Sequence, residues 1–318
     1  MLPDITDKKL LDKVSESISL TFPEATILSV EEVTSGLNSK IYKAHLSSHP
    51  FIVIARQSGL KNFEKSIQIL NYLKECKLPV PKIFYHDIWE DTGLSLLEFI
   101  PGETALEYLR NTDNEGKKAI FRSIGSSLSQ LHALPIQPFW FRKTYPIQTS
   151  EDWDLWLKER LDKVEVYSHA NLSQDIYDYT SSILSNFKQQ LKASSHLPIV
   201  AMHGDFHLEN VHVDASGHIT GILDFDTAMR GKSYGDTGRF LYSLLLHDTH
   251  YIYDPQEFDA FLEGYNILKT TENLLLIHGY FLLMLLEKHE IFAKEQNEKR
   301  FISHNRVLES LAHGELKL

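Results

Sequence analysis

The stretch HGDFHLEN at residues 203–210, followed by ILDFD at residues 222–226, decides how the rest of the sequence is interpreted. The two segments place an Asp, an Asn five residues later and a second Asp fourteen residues further on. Phosphoryl transfer uses these residue types, because one carboxylate orients the attacking hydroxyl while an amide and a second carboxylate hold magnesium. We therefore predict that Asp205 is the catalytic residue and that Asn210 and Asp224 are the metal ligands.

Two simpler explanations compete with this hypothesis. Asp and Asn also favour turns, so an isolated HGD triplet would be weak evidence, but here an apolar strand precedes the loop and a hairpin pattern follows it. Four nearby histidines suggest zinc, yet the chain has a single cysteine and the His spacing does not match a helical metal site. We interpret His203 as a residue that stabilises the loop through neighbouring backbone groups.

Composition restricts the class of protein. With 318 residues, 42% hydrophobic and 24% charged, the chain can bury a substantial core. The single Cys76 excludes an internal disulfide, the N-terminus shows no secretory signal, and the longest apolar run, residues 274–286, is too short for a bilayer. These features predict a cytoplasmic protein without membrane association. The net charge of -11 and the lack of a Lys/Arg cluster argue against nucleic-acid binding.

Hydrophobic periodicity predicts a strand-rich first third and a helical remainder. A helix over residues 6–20 precedes β-type runs at 25–33, 40–46 and 51–56. A second helix at 63–74 is followed by two strands that a turn at 90–93 connects. Long helical patterns with loops between them fill the rest, including a helix over residues 115–134.

The order of the two aspartates and the asparagine is that of the HRDxxxxN and DFG segments of protein kinases. Here Gly204 replaces the Arg, DFG becomes DFD at residues 224–226, and no APE follows. This combination resembles the aminoglycoside phosphotransferase and choline kinase superfamily of small-molecule kinases. The resemblance implies an α+β, protein-kinase-like, two-lobed fold, with a nucleotide-binding N-lobe at residues 1–100 and a catalytic and substrate-binding C-lobe at 101–318. It also implies ATP or GTP as co-substrate, Mg²⁺ as cofactor and a small-molecule hydroxyl as acceptor.

Several N-terminal residues are candidates for nucleotide binding. In the turn at 34–39, the residues Ser35, Gly36, Asn38 and Ser39 could cover the phosphates, although a plain hairpin turn explains a single glycine equally well. Arg56 lies where kinases carry the phosphate-binding Lys, with a solvated Arg at a strand end as the alternative.

The helix and the hinge of this lobe supply further candidates. The helix Glu of the family falls at or near Ser66, and the nearest acid is Glu64, so its pairing with Arg56 is left open. The backbone from Glu98 to Ile100 corresponds to the hinge that binds adenine. Asp226 either contacts a second ion or supports Asp224. Asp236 is interpreted as a structural residue, because it is a good helix N-cap and the resemblance implies an Asp at this place that supports the catalytic loop.

The candidate substrate residues are Asp152, Trp153 and Trp156 on one helix and Asp248 and Tyr251 in a later loop. Aromatic rings beside carboxylates can bind a cationic sugar or amine. Packing of the aromatic pair and a plain surface loop are the alternatives.

For the acceptor, an aminoglycoside or similar amino-sugar antibiotic is the leading hypothesis, with a role in antibiotic resistance as its consequence. Choline, homoserine, methylthioribose, fructosamine and macrolides are also compatible. A protein of another class, an inactive nucleotide-binding module, would explain the single loop glycine, the Arg in place of Lys and the displaced Glu. The sequence leaves the oligomeric state open.

Overall fold

The computed structural model describes residues 5–33, 39–141, 146–246 and 253–316. The chain divides into two units, of which the first comprises Met1–Gly102 and Thr220–Asp226 and the second Glu103–Ile219 and Thr227–Leu318. Strands dominate the first unit and helices the second. The predicted α+β class, a small antiparallel sheet with helices followed by a larger and mainly helical part, is confirmed.

A five-stranded antiparallel sheet forms the first unit, with the strand order β1-β2-β3-β5-β4. Strands β4 and β5 are joined by Glu90 and Asp91, whose φ angles of 46° and 57° are those of a two-residue hairpin turn. The elements are α1 (Ile5–Thr21), β1 (Ile27–Val33), β2 (Ser39–Leu46), β3 (Ile52–Gly59), α2 (Leu60–Glu75), β4 (Ile83–Trp89) and β5 (Thr92–Glu98).

One face of this sheet packs against α1. Leu10, Val14 and Ile18 recur at four-residue intervals on the helix, and none is more than 2% exposed. Their cluster includes the buried sheet residues Tyr42, Ala44, Leu46, Val53, Ala55, Leu94 and Leu96. Successive side chains of a strand point to opposite faces, so Arg56, which follows Ala55, lies on the face away from α1.

Replacing Ile18 by Ala should lower the free energy of unfolding by about 2–5 kcal/mol, because the site is 0% exposed and a cavity would remain. Leu20→Ala on the same helix is the matched control, since Leu20 is 66% exposed and its loss should cost less than about 0.5 kcal/mol. Urea unfolding followed by circular dichroism measures both. Equal effects of the two substitutions would contradict this packing.

The second unit contains eight helices among its described residues. Its core includes the rings of Phe121, Phe240 and Phe261, whose centroids lie 6.0 Å and 4.4 Å apart in successive pairs. In chain order the remaining elements are β6 (Glu103–Thr104), α3 (Ala105–Arg110), α4 (Asn114–His132), α5 (Ser150–Asn171), α6 (Gln174–Ala193), β7 (Val200–Met202), β8 (Val211–Val213), β9 (Ile219–Ile222), β10 (Met229–Gly231), α7 (Tyr234–Leu246), α8 (Pro255–Tyr265), α9 (Thr271–Lys294) and α10 (Glu298–Ala312). No helix in the described ranges has the length and apolar character needed to cross a bilayer.

The segment 220–226 belongs to the first unit although it follows more than a hundred residues of the second. The N–H of Ile222 donates to the carbonyl of Pro79 at 2.6 Å, and the Thr220 hydroxyl donates to the carbonyl of Pro101 at 3.1 Å. A Cβ atom on Gly221 would lie only 2.8 Å from Ile100. These contacts bring Asp224 and Asp226 into the same unit as Arg56.

Candidate active site

The loop at 203–210 is held by the buried carboxylate of Asp236 in the second unit. This carboxylate is 0% exposed and accepts the backbone N–H of His203 at 2.7 Å and that of Gly204 at 2.8 Å. Asp236 is the third residue of α7, which begins at Tyr234, so it is not the helix N-cap that the sequence suggested. Its two backbone bonds agree with the structural support of the catalytic loop that the resemblance implied. A buried carboxylate needs strong hydrogen-bond donors, and the backbone N–H groups of the catalytic loop supply two of them.

His132 completes the surroundings of this carboxylate. One ring nitrogen, Nε2, lies 3.0 Å from Asp236, and the other, Nδ1, lies 2.5 Å from the hydroxyl of Tyr265. Because an ionised carboxylate only accepts hydrogen bonds, Nε2 must carry the proton that is donated to Asp236. The end of α4, the start of α7 and the loop are thereby joined through one charged group.

Gly204 is required by the backbone of the loop. Its φ angle is +82°, and a Cβ atom at this position would lie 2.4 Å from the carbonyl oxygen of Thr227. Both the conformation and the space exclude a larger side chain. This explains in steric terms why glycine stands where protein kinases carry the Arg of HRD.

Asp236→Asn should lower the free energy of unfolding by about 3 kcal/mol, because an amide nitrogen would then face an N–H donor in a buried site. Asp178→Asn on the exposed surface of α6 is the control and should change stability by less than about 0.5 kcal/mol. Chemical denaturation measures both variants. If the two behave alike, Asp236 does not hold the loop.

The predicted catalytic residue Asp205 forms an ion pair with Arg239 of α7. The Nε atom of Arg239 donates to Oδ1 of Asp205 at 2.8 Å, and Nη2 bonds the same oxygen. The other oxygen, Oδ2, lies 3.7 Å from Nε2 of His207. Burial by itself would raise the pKa of Asp205, but His207 and the charge of Arg239 outweigh it and hold the pKa well below its ordinary value. Asp205 is thus ionised, with Oδ1 bonded to Arg239 and Oδ2 facing His207.

Arg239 was missed by the sequence analysis. Its side chain is 11% exposed, and its guanidinium lies 5.2 Å from the ring of Tyr242. The available signal was a cation directly before the largely apolar run at 240–246, because a charge on a buried helix face needs a partner. One helical turn from Asp236, that partner is the catalytic loop.

Replacing Arg239 by Met should move the acid limb of the kcat–pH profile to higher pH. In the native protein His207 and Arg239 hold the pKa of Asp205 well below its ordinary value against the effect of burial, so the carboxylate stays ionised on acidification. Without Arg239 only His207 still opposes the effect of burial, so the pKa of Asp205 rises, and the ionised fraction, and with it the rate, should fall earlier on acidification. Arg122→Met, which removes an exposed arginine paired with Glu263, is the control. An unchanged acid limb in the Arg239 variant would refute this role.

Asn210 has its amide nitrogen engaged within the loop. Nδ2 donates to the backbone carbonyl of Asp205 at 2.9 Å and lies 3.0 Å from Nε2 of His207. These contacts fix the orientation of the amide and leave its oxygen, a hard donor suited to magnesium. Within the described ranges, no three His, Cys, Asp or Glu side chains are arranged to hold a metal ion.

Asp224 lies in the first unit, whereas Asp205 and Asn210 lie in the second. Its φ angle of 62° is in the left-handed region, which Asp tolerates better than most residues, and such positions are frequent at functional sites. The side chain is 46% exposed, and Oδ1 lies 3.2 Å from Nη2 of Arg56. A half-exposed carboxylate beside a cation has the chemistry of a magnesium and phosphate site.

Arg56 lies against Asp226 rather than Glu64. Nη2 of Arg56 is 2.8 Å from Oδ2 of Asp226, while the Glu64 side chain is exposed. Asp226 also accepts the hydroxyl of Ser66 at 2.8 Å on Oδ1 and the ammonium of Lys65 at 2.8 Å on its backbone oxygen. The acid beside the strand cation therefore comes from the segment after β9.

The remaining nucleotide candidates are partly described. Ser35, Gly36 and Asn38 lie outside the described residues, and Ser39 is the first residue of β2. The N–H of Glu98 donates to the carbonyl of Lys82 at 2.8 Å. This N–H is therefore engaged between neighbouring strands, and the binding of adenine by the backbone from Glu98 to Ile100 stays a prediction.

The structure does not support Trp153 as a substrate residue. Its side chain is 0% exposed, and its Nε1 donates to the hydroxyl of Tyr234 at 2.9 Å, so it belongs to the core. The guanidinium of Arg160 lies 4.3 Å from the ring centre of Trp156.

Of the other substrate candidates, one has a structural role and two lie outside the described residues. Asp152 accepts the N–H of Thr149 at 2.8 Å in the capping box at the start of α5. Its carboxylate therefore serves the helix terminus, as such boxes do. Asp248 and Tyr251 lie outside the described residues.

Comparison with known proteins identifies the class. The model of the phosphotransferase enzyme family, APH, matches residues 29–274. The chain therefore belongs to this family and is a small-molecule phosphotransferase, as its resemblance to small-molecule kinases implied. A search of curated proteins finds no match.

Solved structures share the fold at low sequence identity. The GDP and kanamycin complex of APH(2")-IIia is 16% identical, with 96% of this chain and 99% of that chain covered and a TM-score of 0.71. The GDP complex of wild-type aminoglycoside 2'-phosphotransferase-IIIa is 15% identical, with 96% and 99% coverage and a TM-score of 0.72. A thermostable mutant of APH(4)-Ia with ADP and hygromycin B is 13% identical, with 96% and 100% coverage and a TM-score of 0.64. At these identities the likeness concerns the fold, which confirms the predicted kinase-like class.

Proposed function

We propose that this phosphotransferase moves the γ-phosphoryl group of ATP or GTP to a hydroxyl of a small molecule in a magnesium-dependent reaction. The observation that carries the proposal is the state of Asp205: one oxygen is held by Arg239, while the carboxylate stays ionised. This geometry fits the aiming of an acceptor hydroxyl. Phosphoryl transfer depends more on such positioning than on a strong base, because its transition state is loose and the proton leaves late.

The other residues take complementary roles in this proposal. Asn210 and Asp224 hold Mg²⁺, which when bound neutralises charge on the phosphates. Arg56 binds phosphate oxygens, for which a planar guanidinium is suited. Ser35, Gly36, Asn38 and Ser39 offer backbone N–H groups to the phosphates.

For the acceptor, we propose an aminoglycoside or similar amino-sugar antibiotic. Two of the structural neighbours contain kanamycin and hygromycin B, and the net charge of -11 attracts a cationic substrate. The aromatic pair on α5 no longer contributes to this argument, since Trp153 is buried. Choline, homoserine, methylthioribose, fructosamine and macrolides complete the panel of acceptors to be tested.

Asp205→Asn should lower kcat by about a hundredfold to ten-thousandfold. The amide keeps an oxygen that accepts from Arg239, so the fold should be retained. The affinity for nucleotide should change by less than about twofold. Steady-state kinetics and binding of a fluorescent nucleotide, measured on the same preparations, separate the two quantities. Retention of most of the turnover would remove Asp205 from the reaction.

The acceptor is tested by nucleotide consumption with the full panel, with Asp205→Asn as the blank for each compound. Consumption that depends on both an amino sugar and Asp205, followed by detection of the phosphorylated sugar by mass spectrometry, would support the proposal. Turnover with another acceptor alone would contradict the amino-sugar assignment. Tight nucleotide binding without turnover of any acceptor would favour a binding module.

A further inference from the structure

The anchoring of Arg56 differs from the kinase arrangement, in which a glutamate on the helix pairs directly with the strand cation. On α2 the corresponding position falls at or near Ser66, which carries no charge and is 7% exposed. Its neighbour Lys65 is 6% exposed and is itself a cation. Helix α2 therefore presents a hydroxyl and an ammonium group where a carboxylate is expected.

Asp226 supplies the missing carboxylate. One of its oxygens, Oδ2, accepts from Arg56, and the other, Oδ1, accepts from Ser66. The Ser66 hydroxyl has one hydrogen and also lies 3.0 Å from the carbonyl of Asn62, but the 2.8 Å contact with a charged acceptor is the stronger. Lys65 adds a third attachment through the backbone oxygen of Asp226.

We infer that Asp226 is the residue that positions the Arg56 guanidinium, and that Ser66 and Lys65 hold Asp226 in place. The inference rests on the proposed function only for the role of Arg56 toward phosphate. It gives Asp226 a role that neither alternative left by the sequence named, since both carboxylate oxygens are bonded to protein donors. Ser66 on helix α2 contacts Asp226, and Asp226 contacts Arg56. In kinases the helix glutamate contacts the strand cation directly.

The low exposure of the group makes the pairing effective. The Arg56 and Asp226 side chains are 18% and 26% exposed, so water screens their attraction only in part. A long arginine side chain has many rotamers, and a carboxylate fixed by a helix reduces them before a ligand binds. Loss of Asp226 should therefore appear mainly as weaker nucleotide binding.

The test combines a removal with a transplanted carboxylate. Asp226→Asn should raise the KM for nucleotide about tenfold, with a smaller change in kcat, because one charge-assisted bond to Arg56 is lost. Ser66→Ala should act in the same direction by about threefold. The double variant Asp226→Asn with Ser66→Glu returns a carboxylate from the helix itself and should recover most of the affinity. Asp87→Asn, on β4 and 43% exposed, is the charge-matched control.

Three outcomes would overturn the inference. An unchanged nucleotide KM in Asp226→Asn means that Arg56 needs no anchor, and a loss that the double variant does not recover means that Asp226 acts otherwise. A change confined to the magnesium dependence of the rate would assign Asp226 to a metal ion. Thermal unfolding of each variant identifies a general loss of structure. If Asp226→Asn is unfolded, the nucleotide KM of Ser66→Ala decides whether the inference holds.

Arg56→Ala separates this inference from the proposed function. If nucleotide binding survives that substitution, the phosphate role of Arg56 fails. If Arg56→Ala weakens binding while Asp226→Asn does not, the proposed function stands and only the anchoring role fails.

Discussion

The burial of one carboxylate, that of Asp236, constrains the catalytic loop more than any other contact. A fully buried charge is stable only when strong donors surround it, and here the donors are two backbone N–H groups and an imidazole. The loop therefore cannot shift without leaving a charge unpaired. Gly204 allows this close approach because its backbone adopts an angle, and occupies a space, that a side chain would not permit.

Guanidinium groups recur beside the carboxylates on which the proposed chemistry depends. Arg239 holds Asp205 in the second unit, and Arg56 lies against Asp224 and Asp226 in the first. Each pair keeps its carboxylate in a defined place and fixes a long cationic side chain at the same time. The two units thus use the same physical solution for different proposed partners, the acceptor in one and the phosphates in the other.

The sequence predicted those features that depend on local patterns. Periodicity gave the α1 face and the five strands, and the spacing of two aspartates and an asparagine led to the family. The features it missed depend on residues far apart in the chain. The pairing of Arg56 with Asp226 spans 170 residues, which no local pattern shows. The burial of Trp153 agrees with the packing explanation that the sequence also offered, while its partner Tyr234 lies on another helix. The aromatic residues beside Asp152 suggested a ligand-binding surface, whereas the Asp152 carboxylate caps the N-terminus of α5.

The return of residues 220–226 to the first unit has a consequence for how the protein is made. A ribosome releases the chain from its N-terminus, so the five strands emerge long before Ile222 can bond to Pro79 or Asp226 can reach Arg56. A fragment that ends at residue 102 would lack these contacts. During synthesis the first unit therefore lacks the contacts of residues 220–226 until much of the helical unit has been made.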